Sequence, residues 1–363
     1  MIKIATIVLL SLSLMLVIGC NRGKVNDLEI ARQELEEHAY SKSEIRLERL
    51  VEKQPENIEA WCLLAATYNR QDKAKDLETA VNKLREMGKP AMDKLVDIIR
   101  HERNMAEDMA KVLTLVGKSA IDTLVSALGD TAGHVRENAI EILTKMGTDS
   151  REQLISALDS SNVLIRGGTA RTLGNIGHKS AMESLMKKLD DTAPLVRIES
   201  AIALYKLGDK SHENIINDGL KSDLTEVRRI AAIAIRDIVE NPSIKPLIEA
   251  VRDSDMQVRA AVVRALGKAK DKIAIAPLIE AIKSKDSDIS NAASESLKEI
   301  GEPAVMPLLD LVKQEQDIAM LRKAIQTLGD IGDERAIEPL EKIYAESKNS
   351  LIRQEAAVAL NKI

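Results

Sequence analysis

Five histidines, two cysteines and two His-Glu pairs are the residues of this 363-residue chain with chemistry available near neutral pH. His38, His101, His134, His178 and His212 are scattered. No two stand at the H-x3-H or H-E-x-x-H spacing that would put two imidazoles on one helix face for zinc. The pairs His101-Glu102 and His212-Glu213 fall at different points of the helical pattern, one near the end of a helix and the other near the start of one. They read as surface polar residues. No G-x-S-x-G, P-loop or paired-cysteine motif occurs, and Gly167-Gly168 reads as a loosened helix start rather than a phosphate cradle. The expectation is no catalytic residue, no metal and no cofactor.

The cysteines differ in setting. Cys62 follows Trp61 on an amphipathic helix and reads as a small, partly buried side chain rather than a reactive thiol. Cys20 closes the stretch MIKIATIVLLSLSLMLVIGC, in which one Lys precedes an apolar run from Ile4 to Ile18. That run is shorter than the about 20 residues a membrane span needs and suits a secretory signal over residues 1–19. Its end, Val17-Ile18-Gly19-Cys20, resembles the bacterial lipobox. The resemblance implies cleavage before Cys20 and acyl chains such as palmitate on it, so that the chain is exported and held at the cell envelope without spanning a membrane. With Cys20 so used, Cys62 has no partner for an intrachain disulfide.

The elements that position every other side chain are announced by repetition. Val258, Ala261, Val262, Ala265 and Leu266 share one helix face, and Ile275, Leu278, Ile279 and Ile282 share another after a short polar break. The unit is a hairpin of two amphipathic helices. An arginine marks it along the chain: Arg136, Arg166, Arg197, Arg228 and Arg259, then Ser290 in place of Arg, then Arg322 and Arg353, at intervals of 30 to 32 residues. Pro246, Pro277, Pro307 and Pro339 keep the same beat. About nine copies fill residues 88–363. A two-helix unit at this period cannot bury its apolar face alone, so the chain predicts an all-α solenoid whose neighbours cover one another, on the order of 90 Å long at about 10 Å per repeat.

The pattern V-R-x-x-A-x-x-A-L-G-x-I-G-D-x-x-A-I-x-P-L-I-x-A-L-x-D resembles the short HEAT-like repeats found in bacterial phycobilin lyase subunits. In that family the Arg opening the second helix pairs with an Asp of the preceding turn. The resemblance implies the same for Asp130 with Arg136, Asp191 with Arg197 and Asp253 with Arg259, with a weaker ladder at Ser290. A bilin-attaching role rests on repeat spacing alone and conflicts with export. One HEAT-repeat enzyme, deoxyhypusine hydroxylase, holds di-iron on four matched His-Glu pairs; two unmatched pairs do not reproduce that set. Ahead of the array, Trp61, Leu64, Ala65 and Tyr68 match the W-x2-L-G/A-x2-Y core of a tetratricopeptide repeat. Residues 20–27 then read as lipidated Cys and tether, 28–87 as a TPR-like cap and 88–363 as the solenoid.

Composition narrows function. With no Phe, one Trp and four Tyr, the chain lacks stacking platforms for single-stranded nucleic acid. Its formal charge is −5, near −6 once residues 1–19 and Lys3 are gone, which speaks against nucleic acid as a partner. The second helices of the middle repeats carry Arg166, Arg171, Arg197, Arg228, Arg229, Arg236, Arg259 and Arg264 against few acids. Helices stacked in register would make them a basic concave face for an acidic protein segment, with Arg171 and Arg264 the most suggestive pair. The expectation is a non-enzymatic, membrane-anchored scaffold or adaptor. An accessory subunit of an envelope enzyme or transporter, and an enzyme with an unrecognised site, are the alternatives.

Overall fold

The computed structural model describes residues 26–240, 242–315 and 317–363, and every regular element among them is helical. The leader and Cys20 lie outside these residues. The chain forms two compact units that divide between Ala157 and Leu158.

The first unit begins with α1 (Asp27–Glu36), α2 (Tyr40–Lys53), α3 (Ile58–Arg70) and α4 (Ala74–Glu86), followed by the hairpin α5 (Lys89–His101) and α6 (Ala106–Val116). Helix α3 packs against α2, α4, α5 and α6, so its residues 62–68 are all buried. Polar ties cross from this group to the first hairpin. Asp108, buried on α6, accepts from Arg70 Nε at 2.8 Å and Asn69 Nδ2 at 2.6 Å, and Lys94 on α5 pairs with Glu59 at 3.1 Å. These ties join helices α1 to α4 and the first hairpin in one packed body. Helices α7 (Ile121–Ala127), α8 (Gly133–Met146) and α9 (Arg151–Ala157) complete the unit.

The second unit alternates long and short helices. The long, second helices of the hairpins are α10 (Val163–Ile176), α12 (Pro194–Lys206), α14 (Thr225–Asp237), α16 (Met256–Ala269), α18 (Ser287–Ile300), α20 (Ile318–Ile331) and α22 (Ser350–Leu360). The first helices are α11 (Met182–Lys187), α13 (Glu213–Gly219), α15 (Ile244–Ala250), α17 (Ile275–Ile282), α19 (Val305–Gln314) and α21 (Ile337–Glu346). From α5 to α22 the described residues hold eighteen α-helices in chain order, in keeping with about nine two-helix repeats. Each long helix packs on the next, and from α12 to α22 their inward Leu, Ile, Val and Ala residues, with those of the short helices between them, form one continuous apolar strip. The fold is an α-solenoid.

Local chemistry sets the helix ends. Asn162, Asp255, Asp286, Asp317 and Asn349 cap long helices by accepting from a backbone N–H of the first turn, as Asn162 does from Leu164 at 2.8 Å. The motif Leu-Gly-x-Ile-Gly ends α10 and α20, and its last glycines, Gly177 and Gly332, take the left-handed conformation that L side chains disfavour. In α16 the motif reads Leu-Gly-Lys-Ala-Lys, and Lys270 takes that conformation instead, at φ +52°. The earlier glycine of the motif serves packing. A methyl group at Gly174 would sit 2.7 Å from the Ala203 Cα, at Gly267 2.6 Å from the Ser296 Cα, and at Gly329 2.6 Å from the Ala359 Cα. Bare Cα–H is what lets these helix pairs approach so closely.

Candidate functional site

Four of the repeat arginines of the second unit, Arg166, Arg197, Arg228 and Arg259, are half-buried at the turns between helices rather than spread over the second-helix face. Each turns its Nη1 to two backbone carbonyls of its own turn. Arg166 donates to Ser160 and Ser161 (2.8 and 3.1 Å), Arg197 to Asp191 and Thr192 (2.8 and 3.1 Å), Arg228 to Ser222 and Asp223 (2.9 and 3.2 Å), and Arg259 to Asp253 and Ser254 (2.7 and 3.0 Å). The other edge of the guanidinium separates them into two kinds. Arg166 holds the Asp191 carboxylate with Nε and Nη2, both at 2.9 Å, and Arg228 holds Asp253 at 2.7 and 3.2 Å. In each case the Asp stands 25 residues ahead, in the next repeat.

This corrects the expected pairing. The arginine of a repeat bonds the backbone carbonyl of the Asp in its own turn, while that Asp gives its carboxylate to the arginine one repeat earlier. Arg166, Asp191 and Arg197 form one such cluster, and Arg228, Asp253 and Arg259 another. The carboxylates do a further job, since Asp191 Oδ1 also accepts from Ala193 N at 2.9 Å and Asp253 Oδ1 from Asp255 N at 2.8 Å. The bond from Arg166 holds the Asp191 carboxyl below its ordinary range, against the opposing pull of burial. For Asp253 the upward push of burial is outweighed by the bonds from Arg228 and the Asp255 N–H.

The reason for two kinds of arginine is a second, longer period. At the turn position the chain reads Asp130, Ser160, Asp191, Ser222, Asp253, Ser284: Asp and Ser alternate. Ser supplies the same backbone cap, as Ser222 and Ser284 do to Leu224 N and Asp286 N at 3.2 Å, but has no second oxygen for the arginine behind it. This two-repeat alternation is plain in the sequence once the 31-residue register is set. It was missed because only the Asp positions were matched to arginines.

The remaining candidates are dispersed. Arg229 pairs with Asp255, the cap of α16, and holds that carboxyl far below its ordinary range. Arg236 pairs with its neighbour Asp237 at 2.5 and 2.7 Å. Arg171 and Arg264 do occupy the outer face of second helices, five residues after their repeat arginine, and Arg264 is exposed. Between them the same position carries Ile202, buried, and Ile233, exposed. Beside Arg171 lies Lys206, bonded to Asn175 Oδ1 at 2.7 Å, its pKa lowered by burial against the pull of Glu199. Lys268 Nζ is spent on the carbonyls of Arg236 and Val239 at 3.2 and 2.7 Å. Six of the eight arginines thus lie at turns or against Asp255 and Asp237 rather than in one row, and Arg171 and Arg264 stand apart on their own helices.

The histidines do not converge. His134 Nε2 lies 3.2 Å from the Ile99 carbonyl, His38 Nδ1 2.6 Å from the Tyr40 hydroxyl, and His101 3.3 Å from Asp97. Among the described residues no three His, Cys, Asp or Glu side chains are grouped to hold a metal, and no helix is long and apolar enough to cross a membrane. Cys62 is fully buried rather than partly so, and burial pushes its thiol well above the usual range, which keeps it protonated and unreactive.

Helix pairs stacked on a shared core strip along the second unit define a helical-repeat protein. Residues 151–236, 213–298, 244–317 and 291–361 each match the model of HEAT repeats; together they cover more than half of the chain, which belongs to the HEAT-repeat family. Among solved structures the chain is similar to Kap95p bound to RanGDP, with a TM-score of 0.51, 11% identity, and coverage of 89% of this chain and 48% of that one. It also aligns with the complex of CpcE and CpcF of phycocyanin lyase from Nostoc (TM-score 0.35, 21% identity, 58% of this chain and 94% of that one). A third is human deoxyhypusine hydroxylase (TM-score 0.29, 20% identity, 68% and 96%). At such identities the likeness concerns the fold alone. No curated protein matches the chain by sequence.

Proposed function

We propose that the chain is a non-enzymatic protein-binding scaffold, exported and held at a bacterial membrane by a lipid on Cys20, with residues 28–87 as a TPR-like cap. The observation that carries the reading is the second-helix face of the middle repeats. Arg171, Ile233 and Arg264 share one helix position on α10, α14 and α16, with Ile233 and Arg264 exposed and Ile202, at the same position of α12, buried beneath. A charged and apolar strip on a packed stack is a surface whose order exists before a partner arrives, so association costs little conformational entropy. Its arginines suit an acidic protein segment. A lipid at Cys20 would add local concentration to whatever the strip binds.

The test is affinity capture of the lipidated protein from its own membranes beside an Arg171→Glu/Arg264→Glu variant, read by mass spectrometry. A stoichiometric partner lost from the variant supports the scaffold and its face. A partner retained equally moves binding off this face, and the absence of any partner removes the reading. A Cys20→Ala chain is expected to leave the membrane fraction; its retention there would sink the lipid anchor.

A further inference from the structure

The Asp/Ser alternation leaves two arginines of the second unit with one guanidinium edge uncommitted, Arg197 and Arg259, because Ser222 and Ser284 stand where Asp would meet them. Around Arg259 this coincides with a groove of about 710 Å³ between the hairpins α15/α16 and α17/α18. Its apolar wall is Ile248, Val251, Pro277, Ala281 and Ile289, and Arg252 and Arg259 both line it. Ser290, where the next repeat would carry its arginine, turns its hydroxyl back to the Ile282 carbonyl at 2.9 Å. Neither the carboxylate nor the next guanidinium of the ladder is there.

The charge in the groove is not cancelled locally. Its two acids are already engaged, Glu249 by Lys221 at 3.0 Å and Glu280 by Lys283 at 3.1 Å. The corresponding groove two repeats on is lined by Leu309, Val312, Pro339 and Ile343, and there the repeat arginine, Arg322, is held by Glu355 at 3.1 and 3.0 Å. An arginine edge is a planar two-donor fork matched to a carboxylate. The chain shows twice what fits it: Asp191 on Arg166 and Asp253 on Arg228, each presented from a polypeptide turn with an apolar residue two positions before it, Leu189 and Val251.

We propose that this groove binds an acidic segment of a partner protein. The partner's Asp or Glu carboxylate takes on Arg259 the place of the missing repeat carboxylate, with Arg252 as a second cation, and an adjacent apolar side chain rests on Ile248, Val251 and Pro277. The proposal deepens the scaffold reading and rests on it. It adds to the Arg171–Arg264 face a second contact, between the first helices α15 and α17.

The chain supplies its own probe and its own plug. The probe is a fluorescein-labelled peptide copying residues 186–195, which carries Asp191, titrated against the full chain by anisotropy. The plug is Ser284→Asp, which puts a carboxylate 25 residues ahead of Arg259, as in the two closed clusters. Saturable binding is expected, weakened at least about ten-fold by Ser284→Asp, by Arg259→Gln, and by Asn for Asp191 in the peptide, the loss expected for a two-donor charged contact. Ser222→Asp, which closes Arg197 instead, is expected to leave binding unchanged. Equal binding by the Ser284→Asp protein, no saturation up to about millimolar peptide, or displacement by equimolar acetate would each overturn the proposal. Since Ser284→Asp adds an ion pair and removes none, a failure to fold does not confound it. A membrane partner captured equally by wild type and Ser284→Asp would sink the groove and leave the scaffold standing. Peptide binding with no partner captured would do the reverse.

Discussion

Replacing Gly174 by Ala sets helix propensity against helix packing, and the structure says which wins. In a helix interior Ala is favoured over Gly by about 1 kcal/mol. The added Cβ, however, would lie 2.7 Å from the Ala203 Cα and 2.8 Å from its Cβ on α12. Carbon atoms at optimal separation stand about 3.5–4.0 Å apart, so α10 and α12 must part by close to an ångström, and backbone cannot rotate aside. Overpacking of this kind costs about 1–3 kcal/mol, which exceeds the propensity gain over most of its range once the neighbouring α12–α14 contact is disturbed as well. Gly167 on the same helix is the internal control. Its Cβ would meet the Leu195 Cγ at 3.2 Å, the far part of a side chain able to shift by a few tenths of an ångström. Gly167→Ala is therefore expected to be neutral or stabilising by up to about 1 kcal/mol, and Gly174→Ala destabilising by about 1–2 kcal/mol. Urea unfolding followed by circular dichroism at matched m-values measures both. If Gly174→Ala raised the midpoint as much as Gly167→Ala, the close approach of α10 and α12 would not be what the glycine provides.

Two further outcomes follow from the turns. Asp191 and Asp253 have folded-state pKa values depressed by Arg166 and Arg228, so their contribution is fully present above the unfolded carboxyl value near 3.9 and fades as pH falls through the lower folded value. An Arg166→Gln/Arg228→Gln chain should lose about 1–3 kcal/mol per cluster at pH 7 and show a shallower fall in stability below pH 4; an unchanged acid profile would refute the role given to these pairs. Lys270→Gly relieves a left-handed backbone that Gly177 and Gly332 adopt in the sister repeats, and should stabilise by about 1 kcal/mol, seen as a raised Tm.

What the residues alone determined is the repeat. Spacings of three, four and seven apolar residues specify a helix by its own periodicity, and a 31-residue recurrence of Arg and Pro specifies a stack, because each hairpin needs a neighbour to cover its stripe. That recurrence counts about nine repeats over residues 88–363. Cys62 was legible as inert, though not as fully buried, because the helices that cover it, α5 and α6, come from the next segment of the chain. Tertiary structure decided the partners. Arg197 bonds the carbonyl of Asp191 while Arg166 of the preceding repeat holds its carboxylate, and which of two arginines reaches a carboxylate is not written in a spacing that recurs in each copy. The packed neighbour turned an expected row of basic side chains into closed clusters at Arg166 and Arg228, where it presents Asp, and an open edge at Arg259, where it presents Ser. Sequence can state that Ser284 is not Asp; only the packed neighbour shows which arginine is thereby left without a carboxylate.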